Sequence, residues 1–191
     1  MVVPIDRWVV SQAVQLLRTY AVPGDPPPFL LALNLSGSSL SDRAFHEYVL
    51  ALVDDPHIAG GLCFEITETA MITSLSQAIY FMRELKQRGC RFALDDFGSG
   101  LSSFHYLKAL PVDFLKIDGQ FSANVVVDRV DRSMVEAISG VGAALGIATI
   151  AEKVESADVF ALLPRLGVHF GQGYYVARPA PIDTLAPPRR P

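Results

Sequence analysis

Apolar residues return along this chain in two rhythms. Ile5, Trp8, Val9, Ala13, Leu16, Leu17 and Tyr20 recur every third or fourth position, which predicts an amphipathic helix over 5–20. Asp6 lies near its start, and a place in the first turn would put its charge at the favourable end of the helix dipole. Pro23-Gly24-Asp25-Pro26-Pro27-Pro28 then breaks the helix. The second rhythm is the short unbroken apolar run of a buried strand. Phe29-Leu30-Leu31-Ala32-Leu33 is the first, closing on Asn34-Leu35-Ser36; Leu62-Cys63-Phe64-Glu65-Ile66-Thr67-Glu68 is the second, closing on acids. Between them Phe45, Val49 and Leu52 mark a helix over 42–53. Leu75, Ala78, Ile79, Met82 and Leu85 mark the next, stopped at Gly89. Arg91-Phe92-Ala93 opens a third strand, followed by a short helix through Phe104 and Leu107. Phe114-Leu115-Lys116-Ile117-Asp118 and Ile147-Ala148-Thr149-Ile150-Ala151 are two more strands, separated by a long helix through Val130, Met134, Val135, Ile138 and Leu145. A last helix near 157–166 leads to a sixth run around His169-Phe170-Gly171-Gln172.

Strands alternating with helices predict an α/β fold with a mainly parallel sheet covered on both faces. The polar residues Asn34, Glu65, Asp95, Asp96, Lys116, Asp118, Glu152 and Gln172 fall at or near the C-terminal ends of the strands. In a TIM-type (β/α) barrel, that rim is where functional side chains gather. A closed barrel of this kind has eight strands and about 250 residues. Six runs in 191 residues, opening directly in a helix, predict an incomplete barrel of about six of the eight strands. The expected organisation is one domain over 1–185 and a Pro/Arg-rich tail over 186–191. Open sheet edges and uncovered apolar helix faces would favour a homodimer or a covering partner domain.

Composition narrows the function. A net charge of −4 argues against binding duplex nucleic acid through a basic face. No apolar run approaches the roughly 18–20 residues of a membrane span, and the N-terminus lacks a basic segment leading into an apolar one. Cys63 and Cys90 both begin strand-like runs and belong to no C-x-x-C pair. Both are expected to pack in the core of a cytoplasmic protein.

The chemistry centres on Leu94-Asp95-Asp96-Phe97-Gly98-Ser99-Gly100. Two adjacent carboxylates at the end of a buried strand are costly unless they pair, protonate or bind metal; the plainer alternative is that one caps the next helix. The same closing on acids at other strands, with an amide oxygen, makes a hard-oxygen site suited to Mg²⁺ or Mn²⁺ rather than Zn²⁺. Asp95 could bridge two ions while Asp96 holds the second, and ion pairs about 3.5–4 Å apart assist in-line attack on phosphodiesters. Lys116 could orient the attacking water or neutralise phosphoryl charge, or could form a purely structural ion pair with a rim acid. Asp118 could equally cap a turn. His46, His57, His105 and His169 lack ligand spacing and read as surface or core positions.

At these residues the chain resembles the EAL-domain family of cyclic-di-GMP-specific phosphodiesterases. Leu33-Asn34-Leu35-Ser36, Phe64-Glu65-Ile66-Thr67-Glu68-Thr69, Leu94 to Gly100, Leu115-Lys116-Ile117-Asp118, Ala151-Glu152-Lys153-Val154-Glu155 and Gln172-Gly173-Tyr174 follow in the family's order. The match runs from about Ile5 to Pro181. The resemblance implies two Mg²⁺ or Mn²⁺ ions and hydrolysis of cyclic di-GMP to linear pGpG. It implies that Asn34, Glu65 and Asp95 hold the first ion, and Asp95, Asp96 and Glu152 the second. It places Lys116 on the nucleophilic water. Glu68 would hold the loop of Phe97, Gly98, Ser99 and Gly100, with Glu155 and Gln172 completing the rim.

Two departures stand out. The Glu-Ala-Leu strand that names the family, with its ligand Glu and a nearby phosphate-gripping Arg, is absent from these residues, which predicts impaired activity. Lys153 stands where the family usually has Gly; continued strand alternation would turn it away from Glu152, whereas an ended strand would leave an ammonium near the metals. The alternative function is a catalytically silent module that binds cyclic di-GMP or a protein partner in signalling. A metal-assisted barrel enzyme acting on carboxylate substrates is a more distant reading.

Overall fold

The computed structural model describes residues 2–20, 29–73, 75–99 and 104–184. The predicted break at Pro23–Pro28, Gly100 and the tail from Ala186 lie outside the described residues. The described chain forms two compact units, one running to Phe92 and the other from Ala93 to Thr184.

In the first unit the helix Val2–Tyr20 buries Val10, Ala13, Val14 and Leu17 along one stripe. Asp6 departs from expectation. The helix begins at Val2, so Asp6 sits beyond the first turn on the inward stripe, where it is buried rather than solvated. Strands β1 (Leu31–Asn34) and β2 (Leu62–Thr67) pair in parallel, in register from Leu31 opposite Leu62 to Asn34 opposite Glu65. β2 is buried in all but its last residue, as a continuous apolar run covered on both faces should be. The helix Arg43–Leu52 starts where the Asp42 carboxylate accepts the Phe45 N–H at 2.9 Å. It packs Phe45 edge-on against Phe81 of the helix Leu75–Gln87, with ring centroids 6.0 Å apart, and His46 stacks flat on Phe81 at 4.1 Å. His46 is thus a packed histidine whose burial lowers its pKa.

In the second unit β3 (Arg91–Phe97), β4 (Phe114–Ile117), β5 (Ala148–Ala151) and β6 (Phe170–Gly171) pair in sequence order, all parallel. The helix Arg129–Leu145 crosses over between β4 and β5. Asp128 caps its start by accepting the Val130 and Asp131 N–H groups, and Gly146 ends it at φ 71°. The predicted helix near 157–166 divides into an α-helix, Ala157–Leu162, and a 3₁₀ turn, Leu163–Leu166. Pro164 lacks the N–H that would continue the α ladder, which accounts for the change. Cys63 and Cys90 are both buried and form no disulfide, which suits packing positions, and burial pushes Cys90 up to about 12.

Gly146 isolates one backbone term. A Cβ there would meet no atom within 4 Å, so only its left-handed conformation opposes a side chain. Gly146→Ala is expected to cost about 1 kcal/mol, a melting temperature lower by about 2–4 °C. Gly146→Asn should fall between the two, because Asn tolerates this region; calorimetric melting of the three proteins checks the order.

Candidate metal centre

The site in the second unit begins with an irregularity in pairing. Leu94 of β3 stands opposite Leu115 of β4, and Phe97 opposite Ile117, so Asp95 and Asp96 together face the single position of Lys116. This is a β-bulge. In an unbroken strand adjacent side chains point to opposite faces, and one of the two carboxylates would be lost to the site. Here Asp96 adopts φ 54°, a left-handed conformation that Asp tolerates better than most residues. One carboxylate oxygen each from Asp95, Asp96 and Glu152 consequently lie within 4.8 Å of one another.

The turn that follows fixes this arrangement. The Asp96 N–H donates to Asp95 Oδ1 at 3.1 Å, and the Ser99 N–H and Oγ donate to the Asp96 carbonyl at 3.3 and 2.8 Å. Phe97 is fully buried. Gly98 has φ 99°, and a Cβ there would stand 2.8 Å from the Phe121 ring, so neither backbone nor space admits a side chain. The N-cap alternative does not describe Asp95 or Asp96. It does describe Asp118, whose Oδ1 accepts the Gln120 N–H at 2.8 Å at the start of the turn Gly119–Ser122.

Lys116 lies inside this cluster, 2 % exposed, with Nζ 2.9 Å from Asp95 Oδ1 and 2.8 Å from Glu152 Oε1. It is therefore a structural ion-pair partner, placed among the acids where the catalytic reading also needs it. Glu152 follows β5 directly, its N–H donating to the Ile117 carbonyl at 3.3 Å. One cation does not balance three carboxylates. Partial burial raises the Asp96 pKa, and the charges of Asp95 and Asp118 add to this against the opposing Lys116 and Lys153. Burial likewise raises Glu152, with Asp95 and Asp96 adding and Lys116 opposing. Surplus negative charge on hard oxygen donors fits a divalent cation such as Mg²⁺ or Mn²⁺. No histidine competes in this group: His169 Nδ1 accepts the Thr149 N–H at 3.1 Å, and the His105 side chain lies outside the described residues.

Beside these acids a cavity of 320 Å³ is lined by Glu152, Lys153, Glu155, Gln172, Gly173 and Tyr174. Gln172 is placed by its N–H donating to the Ala151 carbonyl at 2.8 Å, while the Val154 N–H donates to the Gln172 carbonyl at 3.0 Å. Gly173 runs so close to the Val154 backbone that any Cβ would overlap it. Lys153 settles one sequence question. β5 has ended at Ala151, Lys153 takes φ 50°, and its aliphatic stem covers Gly119, so strand alternation does not turn it away. Arg178 over the Tyr174 ring, 4.9 Å from its centroid, was not foreseen; it needed knowledge of how the chain turns after Gln172.

The first unit holds the remaining predicted ligands. Asn34 and Glu65 are direct neighbours across β1 and β2, and the Leu35 N–H donates to the Glu65 carbonyl at 2.9 Å. Glu65 is buried. Glu68 is also buried and opens the helix Glu68–Thr73.

Paired acids and a buried lysine at the strand ends of a parallel α/β chain make a candidate site for a divalent cation, and comparison with known proteins gives the family. The family model described as EAL domain matches residues 1–179. The cyclic di-GMP phosphodiesterase PdeB of Shewanella oneidensis is 41% identical over 155 residues, covering 80% of this chain and 18% of that protein. The cyclic di-GMP phosphodiesterase PdeF of Escherichia coli K12 is 34% identical over 95% of this chain and 24% of its own length. Among solved structures, the PaMucR phosphodiesterase in complex with c-di-GMP superposes with a TM-score of 0.85 at 30% identity, covering 97% of this chain and 75% of that one. The Xanthomonas citri FimX EAL domain in complex with c-diGMP gives 0.86 at 27% identity, covering 97% and 73%. The chain belongs to the EAL domain family. Its fold is the α/β, TIM-barrel-like fold of that family, with six strands among the described residues, and it spans less than a third of either curated relative.

The raised carboxylates give a pH prediction. An acid whose pKa is higher folded than unfolded binds more protons when folded, so stability falls as pH rises from the ordinary carboxylate range through the raised value. Asp96→Asn removes that penalty. Without divalent metal, it should raise the melting temperature at pH 7 by about 1–2 °C, and the gain should vanish below about pH 4. Lys116→Met leaves Asp95 and Glu152 facing each other and should cost about 3–5 kcal/mol under the same conditions. Melting curves at both pH values check all three proteins.

Proposed function

We propose that this chain carries the EAL family's hydrolysis of cyclic di-GMP to linear pGpG, assisted by two Mg²⁺ or Mn²⁺ ions, in the cytoplasm. The observation that carries the proposal is the bulge that turns Asp95 and Asp96 toward Glu152 with Lys116 buried among them. Membership of a family whose relatives include named phosphodiesterases supports it. Asn34, Glu65 and Asp95 would hold one ion and Asp95, Asp96 and Glu152 the other. Bound divalent ions supply charge stabilisation at the phosphoryl group and ease deprotonation of the attacking water. Lys116 Nζ orients that water and offsets charge growing on the phosphate oxygens. Glu68 would hold the loop of Phe97, Gly98, Ser99 and Gly100, as the family resemblance implies. Glu155 and Gln172 present polar atoms to the ligand from the neighbouring cavity. Among the described residues no helix is long and apolar enough to cross a membrane.

These 191 residues contain no Glu-Ala-Leu segment. If its Glu and the nearby Arg are each worth about 2–4 kcal/mol, as positioned electrostatic groups are, their lack slows the chain by several orders of magnitude. The test is pGpG formation followed by chromatography with excess Mn²⁺, on this chain and on one extended by the two strands of a complete relative. Slow turnover, recovered on extension and abolished by Asp95→Ala, is the expected result. Binding of cyclic di-GMP with no pGpG from the extended chain would instead support the silent module.

Lys153 offers a second measurement. Its ammonium acts on Asp96 in the same sense as a metal would, and so opposes one. Lys153→Gly should tighten Mn²⁺ binding about fivefold, the effect of roughly 1 kcal/mol of repulsion across a solvated gap. Calorimetric titration of both proteins reads it directly.

A further inference from the structure

A buried carboxylate with no part in the acidic cluster stands out in the first unit. Asp6 is 8 % exposed on the inward stripe of the helix Val2–Tyr20, whose other buried residues are apolar. Its Oδ2 accepts three hydrogen bonds: from the Ser36 N–H at 3.0 Å, the Ser36 hydroxyl at 2.6 Å and the Ser39 hydroxyl at 2.7 Å. All three donors are neutral. An apolar side chain would cover the same stripe without the desolvation that an ionised carboxylate incurs. What the carboxylate adds is position. Hydrogen bonds to a charged acceptor are short and directional, and two of these three hold Ser36, two residues beyond Asn34.

The chain between them has little freedom. Leu35 is buried, and its N–H donates to the Glu65 carbonyl at 2.9 Å. Ser36 in turn caps the turn Gly37–Leu40, its hydroxyl accepting the Ser39 N–H at 3.3 Å. The end of β1 is therefore pinned at one point to the carbonyl of Glu65 and at the next to the helix Val2–Tyr20. Asn34 precedes both pins and lies opposite Glu65 in the strand register.

We infer that Asp6 is a positioning residue for the metal site: acting through Ser36, it fixes the end of β1 so that the exposed Asn34 amide is held beside Glu65 for a divalent cation. The inference rests on the reading of Asn34 as a ligand. Ser39 provides the internal comparison, since it binds the same oxygen but belongs to the turn beyond Ser36 and leads away from Asn34.

The experiment measures Mn²⁺ affinity by calorimetric titration, and folding by thermal melting, for the 191-residue chain and its variants Asn34→Ala, Ser36→Ala, Ser39→Ala, Asp6→Asn and Asp6→Ala. Ser36→Ala and Asp6→Ala should each weaken Mn²⁺ binding about tenfold. Ser39→Ala should lower the melting temperature and leave affinity unchanged. Asp6→Asn, which keeps an acceptor oxygen in the same shape, should recover most of the affinity and remains measurable if Asp6→Ala does not fold. Adding Asn34→Ala to Ser36→Ala should cause no further loss beyond Asn34→Ala alone. Equal effects of Ser36→Ala and Ser39→Ala, or full additivity with Asn34→Ala, would overturn the positioning role. Unchanged affinity in Asn34→Ala itself would remove Asn34 from the metal site, and the inference with it.

Discussion

The second unit depends on one buried ammonium. Lys116 stands between Asp95 and Glu152, so a single side chain on β4 ties the end of β3 to the end of β5. Parallel strands fix their neighbours through the backbone, but the backbone ladder has been interrupted here. β3 carries an extra residue at this level, and the pairing resumes at Phe97 opposite Ile117. A charged contact restores locally what the ladder has lost. It also offsets the two effects that raise Asp96 and Glu152, burial first and the neighbouring carboxylates second. The three carboxylates are thus gathered around one ammonium, which holds two of them directly.

The sequence made some of this legible because the signals were local. Apolar runs of strand length, helical periodicity and acids recurring at strand ends gave the alternating architecture and brought Asp95, Asp96, Lys116 and Glu152 into one group. What the sequence left open depended on backbone conformation or on distant partners. Periodicity cannot show a bulge, since it assumes the very alternation that the bulge suspends, and that assumption would have sent Asp95 and Asp96 to opposite faces. Lys153 was ambiguous for the same reason, until the end of β5 and a positive φ placed it. Asp6 was read from its position in a helix, which gives the face of a residue only when the first turn is known. Its partners lie thirty or more residues away, and no local pattern announces them.

Two of these surprises share a physical origin. Asp96 at φ 54° and Lys153 at φ 50° are the non-glycine residues with positive φ among those described; the first belongs to the acidic cluster and the second follows its member Glu152. Strain of this kind persists where surrounding structure over-determines it. At Asp96 the return is a second carboxylate on the right face. At Lys153 it is a side chain laid across Gly119, whose bare Cα leaves room for the lysine stem in this position.

That last contact constrains how the two positions can change over time. With lysine at 153, a side chain at 119 would overlap the stem where it now lies, so a substitution of Gly119 obliges the exposed lysine to swing to another rotamer. Were Lys153 first replaced by a residue without a stem, position 119 would become free to vary, and a side chain acquired there would exclude the lysine's present rotamer. The order of the two changes therefore sets where the ammonium can lie: a lysine that meets an occupied position 119 cannot be laid across it toward Asp96 in the same way.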